Sequence, residues 1–449
     1  MPKSPLTKLR RKSMSTFLDP TTRFYRFTIL IFVSLLTFGS YFAYDSVGAI
    51  SPILVEKLGF ERSAIGNLYS AYSIAAILTV FFAGVLIDLL GTRKASMIFS
   101  ITVLLGAIIV AFSGNYLTMW VGRFIFGAGS EALVVAQSAI IARWFKGKEL
   151  ALAFGIGLTV SRLGTLFSFN TEALIATHFG TFSSALWAAT IFCAVSLAAN
   201  IVYVIMDRFG EKAVELKDQG SEEKIVLKDV KLFKSNYWYV VLLCVTFYSA
   251  IFPFTALSTD FFVDKWGVAR VAEAAGGFFY QVFNNFFHMF STAGGISAII
   301  IFASMIFAPF AGHFVDRIGK RATLMIWGSL IMIPCYLLMG LTNLYPAFPM
   351  IILGAAFVLV PAAMWPSVPL VVPKRTVGTA FGLMTFIQNI GLALFPFLNG
   401  WLRDTTHTYS ASMVMFASLG LFGLIFALLL KRADAKRRNV LENPGIQAG

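Results

Sequence analysis

The stretch Gly84-Val85-Leu86-Ile87-Asp88-Leu89-Leu90-Gly91-Thr92-Arg93-Lys94 joins two apolar runs. It returns as Gly312-His313-Phe314-Val315-Asp316-Arg317-Ile318-Gly319-Lys320-Arg321. Both read Gly-x3-Asp-x2-Gly followed by basic residues, 228 positions apart. A second pair repeats independently: Ala153-Phe154-Gly155 with Gly164, and Ala380-Phe381-Gly382 with Gly391, 227 positions apart. Two unrelated motifs sharing one spacing mark a duplication. The chain is two parallel repeats.

Each repeat holds six apolar runs long enough to cross a bilayer, which takes ~20 residues. In the first half they lie near 26–50, 64–88, 95–114, 117–142, 150–177 and 183–206. In the second they lie near 237–264, 292–315, 322–342, 345–372, 378–402 and 409–431. The expected fold is an all-α membrane protein of twelve transmembrane helices in two pseudo-symmetric six-helix bundles. Its parts are a basic cytosolic N-terminus (1–25), a first bundle (26–206), a cytosolic central loop (207–236), a second bundle (237–431) and a cytosolic tail (432–449). Composition agrees, with 58% hydrophobic and 13% charged residues over 449 positions. The mean hydropathy is +0.78. Soluble chains run nearer ~25% charged.

The net charge of +14 has its explanation in where the charges sit. Of the 36 Lys and Arg, 29 fall in the two termini and the loops on their side, and five in the opposite loops. Basic residues stay on the cytoplasmic side, so both termini are expected there and nucleic acid is excluded as a partner. The lipid bilayer is the solvent. Three scattered Cys and four scattered His give no ligand cluster, so neither metal nor cofactor is expected. The first apolar run is too long for a signal peptide and reads as an uncleaved helix. No Asn-x-Ser/Thr sequon occurs. No Gly-x-Ser-x-Gly, His-Glu-x-x-His or Gly-x4-Gly-Lys-Ser/Thr motif occurs either, and an enzyme is not expected.

In the repeated turn, Asp caps a helix or pairs with Arg, and Gly permits close helix contact. Two matched copies point to a cytoplasmic latch, with Asp88, Arg93, Asp316, Arg317 and Arg321 as gating residues. The turn resembles that of the major facilitator superfamily, Gly-x3-Asp-Arg-x-Gly-Arg-Arg. The second copy fits with Lys320 as a basic substitute for the first Arg of the final pair, and the first copy has Leu89 in place of Arg. Longer stretches are similar to the lysosomal dipeptide uniporter branch. They are Phe38-Gly39-Ser40-Tyr41-Phe42-Ala43-Tyr44-Asp45, Gly122-Arg123 through Glu131, Trp144 through Glu149, Met364-Trp365-Pro366 and Gln388-Asn389. That resemblance implies passive dipeptide transport and a lysosomal address. The acidic dileucine signal such an address uses is absent from 1–26, 207–236 and 432–449. If the address fails, the cell (inner) membrane is the alternative. The branch's accessory membrane protein on the outer face leaves no mark in the sequence.

Charges at membrane depth face a cavity or a partner. Glu131 lies 15 residues before Lys146 in the 4–5 turn, and Arg162 lies 16 after it. At 1.5 Å rise both sit ~22–24 Å from that turn, near the membrane middle. They either pair with each other or clamp a zwitterion. Arg offers a carboxylate a bidentate fork, and Glu accepts from an ammonium. The resemblance implies these same roles. The repeat places Asn389 opposite Arg162. Gln388 and Asn389 are candidates for the peptide amide, Trp365 for an apolar wall, and Tyr41 and Tyr44 for the cavity lining. Asp45 and Arg123 share a depth ~10 Å below the outer surface and read as an outer-gate ion pair. Glu172, near the outer end of helix 5, reads as a proton site or, more commonly for such a position, an exposed carboxylate near the interface.

Alternating access by rocking of the halves around a midplane site is the expected mechanism. One rival is a proton-coupled symporter of small organic anions, with Arg162 on the anion and Glu131 titrating. Another is a non-transporting sensor or scaffold, which needs neither latch nor cavity charges. The second half carries ~20 extra residues between helices 7 and 8, near 269–291. There Phe278, Phe279, Val282, Phe283, Phe286, Phe287 and Phe290 share a helical face, with Gln281, Asn284, Asn285 and His288 on the other. The segment is either an interfacial amphipathic helix or an extension of helix 8.

Overall fold

A computed structural model of the chain describes residues 19–145, 149–214, 227–273, 276–436 and 439–443. Twelve of its helices are long and apolar enough to cross a membrane. Among the described residues there is no strand, and one isolated bridge joins Ala269 to Thr292. Helix 1 is Arg23–Ala49, opened by Thr22, whose side chain accepts from the Tyr25 amide at 3.3 Å. Helices 2 and 3 form one run, Arg62–Phe112, broken at Gly91. Helices 4, 5 and 6 are Tyr116–Phe145, Leu150–His178 and Phe182–Val214. The 4–5 turn around Lys146 lies outside the described residues.

In the second half, helix 7 is Ser235–Thr255 and helix 8 is Ala293–Ile318. Helices 9 to 12 are Arg321–Leu341, Ala347–Met364, Val377–Thr406 and Ser410–Ala435. The expected helix 7 of 237–264 is split: Ser258–Trp266 is a separate short helix, as Ser51–Leu58 is after helix 1. Helix 6 runs past residue 206 into the segment expected to be a loop.

Backbone geometry bears the duplication out. Gly91 and Gly319 both hold a positive φ, 75° and 70°, with ψ of 160° and −16°. Only glycine takes such a φ without a Cβ penalty, which is why both copies of the turn keep it. The insertion is neither a plain loop nor an extension of helix 8. It is a separate helix, Phe278–Phe287, followed by a 3-10 turn and a new start capped by Thr292.

Packing is uneven along the membrane axis. One core cluster is shared between the halves, joining Val47, Leu68 and Phe169 to Phe254, Ile299 and Phe416. Two others are private, around Leu30, Trp144 and Tyr203 in the first half and Tyr237, Met364 and Leu430 in the second. The shared core lies on the face away from the termini, called here the far face. There a Cβ at Gly66 or Gly400 would strike the backbone of the opposite half, at Pro396 and Arg62. On the terminal side, a Cβ at Gly84, Gly155 or Gly312 would meet nothing within 4 Å. The halves are closed at the far face and parted at the terminal face.

Candidate substrate site and gates

Between the halves, helix 4 carries Glu131 and helix 5 carries Arg162. Glu131 Oε1 accepts from the Tyr72 hydroxyl at 2.7 Å. Arg162 Nη1 donates to Ser304 Oγ of helix 8 at 3.0 Å, and its guanidinium lies 5.1 Å from the Phe357 ring centre in helix 10. The Ser304 hydroxyl gives its own proton to the Ile301 carbonyl, leaving lone pairs for Arg162. Among the described residues Glu131 and Arg162 form no ion pair. Tyr41 is within electrostatic reach of both.

The second half adds an aromatic wall. Trp365 Nε1 donates to the Tyr248 hydroxyl at 2.9 Å, and its ring lies 5.8 Å from Phe381. Tyr248 is stacked on Phe252 at 5.8 Å and reaches toward Arg162 and Tyr41. Gln388 Oε1 faces the Cys244 thiol at 3.4 Å. Asn389 is buried and donates to its own helix at Thr385, while its Oδ1 has no partner.

Tyr44 lies beside the Glu131 end of the site, its ring 4.7 Å from that of Tyr72. With Tyr69, Tyr72 and Phe126 it makes an aromatic cage around Arg123, whose guanidinium carbon is 4.8–5.7 Å from the four ring centres. Arg123 also donates to the carbonyls of Ala43 and Leu68. The expected Asp45–Arg123 ion pair is therefore not formed; Asp45 turns to the Thr165 hydroxyl. Equal depth supplies one coordinate of a contact, and the angle around each helix decides the rest. Glu172, expected to be exposed, is wholly buried with both oxygens unpartnered.

Closure of the far face rests on other residues. Arg62 of the first half meets Asp260 of the second at 2.8 Å, and the Tyr409 hydroxyl joins the same carboxylate at 2.6 Å. Asp404, at the end of helix 11, accepts from the amides of Arg62 and Ser63 at 3.1 and 2.8 Å. It caps helix 2 from across the interface. Arg270 pairs with Glu56 at 2.6 Å and its hydrogen bond holds that carboxyl below the usual carboxylate range. The pair's closing contribution is present above the ordinary glutamate value and is lost as pH falls through the lowered one.

On the terminal side, Arg93 pairs with Glu211 at 2.7 Å and with Asp207 at 3.6 Å, and Arg143 with Asp207 at 3.1 Å. These contacts stay within the first half. Asp88 and Arg317 are exposed, and Arg321 is largely buried. The side chain of Asp316 lies outside what the structure describes. In the second half the tail takes the place of the helix 6 acids: Glu442 accepts from the Thr323 amide at 2.9 Å and hydroxyl at 2.7 Å, and Leu441 bonds the Arg321 amide through its carbonyl.

Sequence reasoning missed Tyr72, Tyr248, Ser304 and Phe357. The tyrosine pair Tyr69/Tyr72 in helix 2 mirrors the Tyr41/Tyr44 spacing in helix 1 and was a usable signal. Ser304 and Phe357 carry none.

Two six-helix halves around a buried, oppositely charged cleft define a membrane transporter, not an enzyme. The profile of the Major Facilitator Superfamily matches residues 33–291 and 277–448, and the chain belongs to that superfamily. It is 32% identical over 429 residues to the lysosomal dipeptide transporter MFSD1 of Danio rerio, covering 93% of this chain and 88% of that protein. The Homo sapiens MFSD1 is 31% identical over 437 residues, covering 94% and 90%. A bacterial homolog of the human lysosomal transporter Spinster, solved inward-facing, superposes with a TM-score of 0.69 at 15% identity, over 92% of this chain and 98% of that one.

Proposed function

We propose that this transporter carries dipeptides by uniport, with the ammonium on Glu131 and the carboxylate on Arg162. The observation that carries the reading is that the two charges are held apart. Each is oriented by a neutral hydroxyl, Tyr72 or Ser304, and neither is neutralised by the other. A zwitterion spanning them replaces two costly unpaired charges by two charge-assisted bonds. The relatives named as dipeptide transporters support the same substrate class, and their name supports a lysosomal membrane. The excess of basic residues on the terminal face supports cytoplasmic termini. The far face is then luminal, and the open cleft faces the cytoplasm. Rocking of the halves about the Glu131/Arg162 level moves the peptide.

The test is uptake into proteoliposomes with free-amine and N-acetylated dipeptides, with and without a pH gradient. Glu131→Gln is expected to weaken uptake of free-amine peptides and to spare N-acetylated ones, which lack the ammonium. Accumulation by wild type driven by the gradient, and lost in Glu131→Gln or in Glu172→Gln, would overturn uniport.

A further inference from the structure

The insertion helix Phe278–Phe287 turns its polar side toward the protein. Asn285 accepts from the Ala272 amide at 2.8 Å and donates to the Asn170 carbonyl at the far end of helix 5. Gln281 meets His178 at 3.2 Å. With its polar groups spent inward, the helix presents Phe279, Phe283 and Phe287 outward, 86%, 69% and 75% exposed. That is on the order of 400 Å² of aromatic surface, at the limit a protein leaves to water.

We propose that this face is a lipid-binding surface in the far-face leaflet, occupied by acyl chains at the level of the headgroup boundary. Three observations select lipid over a protein partner. No Asp, Glu, Lys or Arg occurs from residue 274 to 315, so the patch and most of the helix 8 that follows it are free of these charges and offer none to a docking protein. At ~15 Å the helix is too short to cross a ~30 Å core and fits one lying along the boundary. The patch also runs into the exposed apolar rim of the spans. Tyr345, at the far end of helix 10, donates to the carbonyl of Phe290. Because the helix is bonded to helix 5 of one half and joined to helix 8 of the other through the turn Met289–Ser291, lipid held there sits on the joint that closes the far face.

The native cysteines are all buried, so introduced ones label selectively. Phe279→Cys, Phe283→Cys and, as a water-exposed reference, Glu273→Cys are spin-labelled in liposomes. Collisions with oxygen and with an aqueous nickel chelate are then compared. Oxygen is expected to exceed nickel several-fold at 279 and 283, with the order reversed at 273. Nickel access at 279 and 283 equal to that at 273 would overturn the proposal by showing water there. Shielding from both reagents would overturn it too, because it would mean a second copy or another protein covers the face. Retention of a dipeptide-induced thermal shift in each variant verifies the fold.

Discussion

In the proposed reading, substrate chemistry turns on Arg162. Its guanidinium spends one N–H on Ser304 and lies over the Phe357 ring, which leaves donors on its free edge for a carboxylate. Arg162→Ala should therefore cost about 2–5 kcal/mol of binding, roughly 30-fold or more in Kd. Arg162→Lys should also be impaired, since an ammonium replaces a planar fork with a point charge. Thermal shift against dipeptides measures both, and unchanged affinity in the lysine variant would exclude a bidentate contact. Glu131 and Arg162 were legible in the sequence because charges inside apolar runs are conspicuous and their distance from one turn gives depth. Their hydroxyl partners were not, because neither the Tyr69/Tyr72 spacing nor Ser304 identifies a contact until the rotation of each helix is known. The same missing rotation explains why Asp45 and Arg123, matched in depth, do not touch.

Among the elements, the far gate depends on one helix end capped from the other half. Asp404 supplies acceptors to two amides that open helix 2 and would otherwise be orphaned. An N-cap is worth typically ~1 kcal/mol. Since Asp404 can act only when the halves meet, Asp404→Ala should shift the population toward far-face opening by roughly fivefold. Ser51, fully buried beside Thr259 in this closed face, reports it. A Ser51→Cys label should react about fivefold faster in the Asp404→Ala background. An unchanged rate would mean that the cap contributes equally to both states. Periodicity located most helix ends to within a few residues but missed the C-terminal ends of helices 6, 7 and 10, which fall at Val214, Thr255 and Met364. The insertion was visible as an excess over the repeat. That its polar face binds helix 5 depends on tertiary partners more than 100 positions away in the chain.

For the whole molecule, glycine contacts distinguish the two ends of the proposed rocking motion. At the far face, Gly400 meets the backbone of Arg62 from the other half, so the space for a Cβ does not exist while that face is closed. Gly400→Ala leaves each six-helix half able to fold, because the clash lies between halves. It penalises only the closed far face, by the about 1–3 kcal/mol of overpacking, which shifts the equilibrium roughly 5–150-fold toward the opposite opening. Gly155, on the terminal side of helix 5, meets nothing in this conformation. Gly155→Ala is free of penalty here and costs energy only if the terminal ends approach each other. The two variants should therefore both slow transport and move accessibility in opposite directions: Ser51→Cys labelling should rise in Gly400→Ala and fall in Gly155→Ala. Gly106 is the control, since a Cβ there strikes the Phe126 backbone within the first half. Gly106→Ala should lower Tm without biasing either face. Parallel changes in labelling for Gly400→Ala and Gly155→Ala would show that the parted terminal ends do not close on Gly155, and would exclude rocking about the charged level.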